Sequence, residues 1–149
     1  MDSQIPNYVV AESLDKIFNG ITYVKQEYKY GNSRFDIYVE TKTDKIFVEV
    51  KGVTLEAVGV VRFPDAPTER RIKHRKELQK AVLDGYRACV VFLVQMQDVK
   101  YLEPNYETHP QFASELKKAH ENGVEIFVYD SVVTPDEIIM NKKVEIKMP

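Results

Sequence analysis

Polar and hydrophobic residues alternate along two neighbouring stretches of the chain, residues 34–40 and 45–51. This pattern is typical of strands with one buried face, because successive side chains point to opposite sides of a sheet. In the first stretch it predicts a shared face for Phe35, Ile37 and Val39. In the second stretch, two sets of three residues lie on opposite faces: Ile46, Val48 and Val50, and Phe47, Glu49 and Lys51. The polar turn between the two strands predicts that they form an antiparallel hairpin.

Helical periodicity and turn residues predict the remaining elements. Helices are expected over 7–18, from a start within 64–67 to about 84, and over 110–122, and strands over 22–30, 52–63, 87–95, 124–129 and 143–148. Asp65 is expected to cap the second helix, with Pro67 in its first turn. The near-continuous apolar run at 87–95 is typical of a central strand that is covered on both faces. The order of the elements predicts an α/β fold with a mixed central sheet flanked by helices.

Composition narrows the class of protein. The 149 residues have a mass of 17.3 kDa, which fits one domain over residues 1–149. The one cysteine, Cys89, excludes an internal disulfide and a multi-cysteine zinc site, and we expect it in the core. No apolar run reaches the roughly 18 residues of a membrane helix, and the first residues do not begin a signal peptide. We therefore expect a cytoplasmic protein with no membrane partner.

The net charge of −2 hides an uneven distribution of charge along the chain. Residues 62–80 contain seven basic and three acidic residues, a balance of +4, and the rest of the chain carries −6. A basic segment in an acidic protein is consistent with a nucleic-acid partner. A solvated helix face is the alternative explanation for the same charges.

Asp36 and Glu49 are the candidates for chemistry. They lie in the middle of the two alternating strands, so the hairpin brings them together at one end of the sheet. Lys51 follows Glu49 by two residues and emerges on the same face. Two carboxylates and a lysine suit Mg²⁺ or Mn²⁺ beside a phosphodiester, where the metal activates a water and the lysine assists it. Ordinary surface ions are the alternative, because the Glu-x-Lys spacing occurs five times in this chain.

A series of ungapped motifs runs in order along the chain: Tyr30-Gly-Asn-Ser-Arg-Phe-Asp36, Val48-Glu-Val-Lys-Gly-Val-Thr-Leu55, Phe63-Pro-Asp-Ala-Pro-Thr-Glu-Arg70, Gly85-Tyr-Arg-Ala88, Val94-Gln95 and Gly123-Val-Glu125. Together they resemble the sugar fermentation stimulation protein A family, from about Asn7 to near the C-terminus. The resemblance implies a restriction-endonuclease-like core of the PD-(D/E)xK type. It also implies a metal-dependent nuclease that hydrolyses phosphodiester bonds of DNA or RNA.

The resemblance assigns roles to individual residues. Asp36 and Glu49 match the metal-binding acids, and Lys51 matches the catalytic lysine. Glu12 sits where the first helix of such cores supplies a further acid, with an exposed glutamate as the alternative.

Further positions match the part of the family that would contact a nucleic-acid backbone: Arg34, Thr68, Arg70, Lys73 and His74. Arg71 is added to them, because it replaces a residue that is usually glycine in the family and makes the segment more basic. A structural salt bridge is the alternative role for Arg34.

Members of the family typically begin with a β-rich, OB-like domain, which we expect to be absent from this chain. The alternative function is a non-catalytic nucleic-acid-binding or regulatory protein that influences sugar-utilisation genes. An interaction domain that uses the acidic residues of segment 98–138 is a third hypothesis. Whether the chain forms a homodimer is left open.

Overall fold

The computed structural model of the chain describes residues 4–53, 60–63, 69–104 and 110–148, with the backbone alone over 61–63 and 69–75. The helices in these parts are α1 (Ile5–Glu12), α2 (Glu69–Leu83) and α3 (Pro110–Glu121), and a 3₁₀ turn over Leu14–Lys16 follows α1. The strands are β1 (Ile21–Tyr30), β2 (Ser33–Thr41), β3 (Lys45–Val53), β4 (Val60–Phe63), β5 (Arg87–Val94), β6 (Tyr101–Pro104), β7 (Glu125–Val133), β8 (Ile138–Lys143) and β9 (Glu145–Ile146).

The larger sheet is mixed and has the strand order β1-β2-β3-β5-β7-β8. β1, β2 and β3 form an antiparallel meander, β3, β5 and β7 run parallel, and β8 returns antiparallel to β7. β5 is buried from Ala88 to Val94, as expected for a central strand that is covered on both faces. A smaller sheet joins β4, β6 and β9 in parallel.

Helices cover both faces of the larger sheet. On one side, here called the α2/α3 face, Leu78 and Leu116 pack in a core that includes Phe47. On the other side, the α1 face, Val10 packs in a second core with Val48. Burial of these apolar side chains is the main stabilising contribution to the fold. The predicted mixed sheet with helices on both faces is confirmed.

Several predicted bounds are wrong. The first helix ends at Glu12 because the backbone tightens there, with the N–H of Ser13 bonded to the carbonyl of Val10. The sequence pattern predicts neither β6, which is only four residues long, nor β8, which does not alternate cleanly. The expected last strand is the two-residue β9, and it belongs to the smaller sheet. Asp65 and Pro67, and the 54–59 part of the expected 52–63 strand, lie outside the described residues.

Cys89 lies on β5 and is fully buried. Burial raises the pKa of its thiol well above the usual value, because the thiolate would lose its hydration there. The prediction that Cys89 is a core residue is confirmed. Among the parts of the chain described, no helix is long and apolar enough to cross a membrane.

Candidate active site

Asp36 and Glu49 close a gap between β2 and β3. The backbone pairing of these two strands ends where Ile37 lies opposite Val48. Beyond that pair, the N–H of Asp36 donates to Glu49 Oε1 at 3.2 Å, and the N–H of Val50 donates to Asp36 Oδ2 at 2.8 Å. Each carboxylate therefore accepts a backbone donor that the strand pairing leaves open. The structure brings the two acids together, as the hairpin predicts.

The alternation of side chains between the two faces of β2 is interrupted at Asp36. Phe35 belongs to the core on the α2/α3 face, whereas Ile37 and Val39 belong to the core on the α1 face. The prediction that these three residues share one face is therefore wrong for Phe35. The physical reason is that the N–H of Asp36 is bonded to a side chain instead of to the β3 backbone, so the regular alternation of the strand is interrupted there.

Glu49 is a buried carboxylate, with only 2% of the residue exposed. A buried charge is tolerated when it is paired and hydrogen-bonded. The Asp36 N–H binds Glu49 Oε1, and Lys51 Nζ lies 3.7 Å from Glu49 Oε2. The Lys51 side chain is partly exposed, so it extends from the buried acid towards solvent. Glu49 and Lys51 share the face of β3 that also carries Phe47, as the alternation predicts.

Asn7 is a site residue that the sequence reasoning missed. It lies in the first half of α1 and is 8% exposed. Its Nδ2 donates to Asp36 Oδ1 at 3.3 Å, so the second oxygen of that carboxylate is also held. The only signal in the sequence is a polar residue between apolar positions of a short helix. That signal does not distinguish Asn7 from an ordinary surface asparagine.

We expect the Asn7→Ala variant to have a free energy of unfolding about 1 kcal/mol below that of the wild type, since Asp36 loses a hydrogen-bond donor in a partly buried place. Urea denaturation in EDTA measures this difference. The matched control is Tyr8→Ala, because Tyr8 is the next residue of α1 and is exposed. Its expected change lies within about 0.5 kcal/mol. Equal stability of the Asn7→Ala variant and the wild type would show that Asn7 does not hold Asp36.

The other predicted residues are not joined to this pair by contacts that the structure describes. Glu12 is the last residue of α1 and is exposed, and within the described ranges it forms no hydrogen bond or ion pair. Arg34 is exposed on β2, two residues before Asp36. Thr68 lies outside the described residues. Four more predicted residues belong to α2, where the structure describes their backbone and not their side chains: Arg70, Arg71, Lys73 and His74.

The donor set fits a hard divalent cation. Both acids offer carboxylate oxygens, which suit Mg²⁺, Mn²⁺ and Ca²⁺, and Mg²⁺ commonly uses one or two carboxylates and keeps several waters. Each carboxylate is oriented by a backbone N–H, and an oxygen that accepts one hydrogen bond still has a second lone pair. Within the described residues, no group of three or more His, Cys, Asp or Glu side chains is placed to hold a metal. Among the residues that the structure describes, the carboxylates available to a metal at this place are those of Asp36 and Glu49.

A family model described as "Sugar fermentation stimulation protein RE domain" matches residues 4–137. The chain belongs to the sugar fermentation stimulation protein family. A sugar fermentation stimulation protein homolog from Ruminiclostridium cellulolyticum is 53% identical over 150 residues, and one from Clostridium beijerinckii is 52% identical over 148 residues. These matches cover 99% and 98% of this chain, and 66% of each relative. The chain thus spans about two thirds of the length of these relatives.

A solved structure of a family member is also similar. The structure of Pyrococcus furiosus SfsA in complex with Ca²⁺ matches with a TM-score of 0.82 and 31% sequence identity. The match covers 95% of this chain and 62% of the Pyrococcus furiosus chain. The shared fold extends over nearly all of this chain.

Proposed function

We propose that this chain is a divalent-metal-dependent nuclease that hydrolyses phosphodiester bonds of DNA or RNA, on a restriction-endonuclease-like core of the PD-(D/E)xK type. The observation that carries the proposal is a pair of backbone-to-carboxylate hydrogen bonds between β2 and β3. The Asp36 N–H donates to Glu49 and the Val50 N–H donates to Asp36, with Lys51 Nζ 3.7 Å from Glu49 Oε2. The backbone pairing of β2 and β3 ends at this point, and hydrogen bonds to two carboxylates connect the strands instead. Support also comes from the related Pyrococcus furiosus structure, which is a complex with Ca²⁺.

Asp36 and Glu49 are the proposed ligands of a Mg²⁺ or Mn²⁺ ion. When bound, such an ion lowers the pKa of a coordinated water and offsets negative charge on the phosphate. The protein fixes the two carboxylates in advance through the N–H groups of Val50 and Asp36, and through the amide of Asn7. Little reorganisation is then needed when the ion and the substrate arrive.

Lys51 has the proposed role of assisting the water and the phosphate. Its ammonium group is kept beside Glu49 and extends towards solvent, where a phosphodiester approaches. From there it orients the attacking water or donates to a phosphoryl oxygen as negative charge increases in the transition state. This role requires only the donors of Lys51 and its fixed position on β3.

The basic segment of α2 is the proposed contact to the nucleic-acid backbone. Glu49 and Lys51 lie on the face of β3 that carries Phe47, and Phe47 belongs to the same core as Leu78 of α2. α2 therefore covers the side of the sheet on which the candidate catalytic lysine emerges. The positions proposed to contact phosphate groups are Thr68, Arg70, Arg71, Lys73 and His74, and the arginines and the lysine among them neutralise phosphate charge.

The proposal is tested by incubating the wild-type chain with plasmid DNA, single-stranded DNA and RNA in the presence of Mg²⁺, Mn²⁺ or EDTA. We expect cleavage of at least one of these substrates with either metal and none with EDTA. Salt-sensitive binding of nucleic acid without cleavage under any of these conditions would overturn the nuclease proposal. That outcome would favour the alternative, a non-catalytic nucleic-acid-binding protein.

A further inference from the structure

Two cations face each other beside the candidate site. Lys29 of β1 lies directly opposite Arg34 of β2, and both side chains are exposed. Within the residues that the structure describes, neither forms a hydrogen bond or ion pair with an acid. Like charges that are directly opposite on one face of a strand pair are destabilising. A bound anion between the two cations removes this repulsion.

The face on which this pair lies follows from its neighbours. Tyr28 and Phe35, the adjacent opposed residues, pack in the core on the α2/α3 face. Because successive side chains of a strand alternate, Lys29 and Arg34 point to the α1 face. Asn7 of α1 binds Asp36 from this same side. Arg34 precedes Asp36 by two residues, a distance of about 7 Å along the strand.

The backbone of β1 is distorted opposite the place where the side-chain alternation of β2 is interrupted. Glu27 has a φ of +54°, which is rare for a residue other than glycine. The pairs on either side of it place Glu27 across from Asp36. Lys25 precedes Glu27 by two residues on β1 and pairs with Tyr38 of β2. The Tyr38 side chain belongs to the core on the α2/α3 face. In a regular strand, Lys25 and Lys29 would share a face. The distortion places Lys29 on the α1 face and leaves Lys25 on the opposite face.

We propose that Lys29 and Arg34 together bind one phosphate group of the nucleic-acid backbone, on the α1 face next to Asp36. The inference rests on the proposed function and extends it with a contact from β1. An ammonium and a guanidinium group can both donate to the oxygens of the same phosphate.

The test is fluorescence anisotropy with labelled single-stranded and duplex oligonucleotides in EDTA, from 50 to 200 mM KCl. The variants are Lys29→Ala, Arg34→Ala and the double variant, and Lys25→Ala is the control that removes the same charge from the opposite face. We expect each of the two single variants to weaken binding several-fold. The double variant should lower the slope of log Kd against log salt by about 0.7 for single strands or 0.9 for duplex, the value for one phosphate contact. The Lys25→Ala variant should keep the wild-type slope.

Three results would overturn the inference: no binding of either oligonucleotide by the wild type, an unchanged slope in the double variant, or an equal loss in Lys25→Ala. Failure of the nuclease proposal is seen separately, in the absence of cleavage with Mg²⁺ or Mn²⁺. All three positions are exposed, and circular dichroism of each variant verifies that the fold is retained.

Discussion

The Glu49→Gln variant is expected to cleave nucleic acid in Mg²⁺ on the order of 10²–10³ more slowly than the wild type, the loss that follows removal of one preorganised charge-stabilising group. Glutamine keeps the shape of the side chain and the oxygen that accepts the Asp36 N–H, so the contact between the strands is preserved. It removes the negative charge that the proposed metal site needs. Initial rates of cleavage of a labelled oligonucleotide, measured over a range of Mg²⁺ concentrations, give the comparison.

The matched control is Glu145→Gln. Glu145 and Lys147 repeat the Glu-x-Lys spacing, and Glu145 is exposed on β9, in the smaller sheet. We expect the Glu145→Gln variant to cleave at the wild-type rate. A Glu49→Gln variant that cleaves as fast as the wild type would remove Glu49 from the mechanism.

The Phe47→Ala variant is expected to lose about 3–5 kcal/mol of unfolding free energy, the usual cost of a phenylalanine removed from a core. Phe47 is fully buried, and five aromatic rings surround it, with centroids 4.6–5.8 Å from its own: Tyr28, Tyr30, Phe35, Tyr38 and Tyr86. Truncation to alanine leaves a cavity that this packed group of rings fills only in part. Urea denaturation followed by circular dichroism measures the loss.

Tyr23→Ala is the control for the Phe47 prediction. The Tyr23 ring contacts Tyr38 edge-on at 6.2 Å, but 47% of the residue is exposed. The expected loss is below about 1 kcal/mol, because little apolar surface is removed from the core. If Phe47→Ala were no less stable than Tyr23→Ala, the rings around Phe47 would not form a core.

Periodicity predicted the parts of the fold in which one pattern decides burial. The alternation over 45–51 places Ile46, Val48 and Val50 in one core and Phe47 in the other, as observed. The hairpin register that follows from the polar turn also brings Asp36 towards Glu49. Both results depend on local spacing, which the sequence contains directly.

The interruption of the side-chain alternation at Asp36 in β2 was not predictable from the sequence pattern. The pattern over 34–40 continues without interruption, and Tyr38 is apolar enough to be buried on either face. What decides the face is the hydrogen bonding of Asp36 with Glu49 and the unusual backbone of Glu27, and both depend on contacts between strands. Asn7 was missed for the same reason, since its contact with Asp36 is 29 residues away along the chain.

A crystal structure of this chain grown with Ca²⁺ tests the central claim most directly. We expect one ion, 2.3–2.6 Å from a carboxylate oxygen of Asp36 and from a carboxylate oxygen of Glu49, which is the usual range for calcium ligands. The Glu49→Gln variant should lose the ion under the same conditions. Two results would contradict the claim that Asp36 and Glu49 form a metal site. One is a wild-type crystal structure with no ion at these two acids, and the other is an ion that is bound equally well in the Glu49→Gln variant.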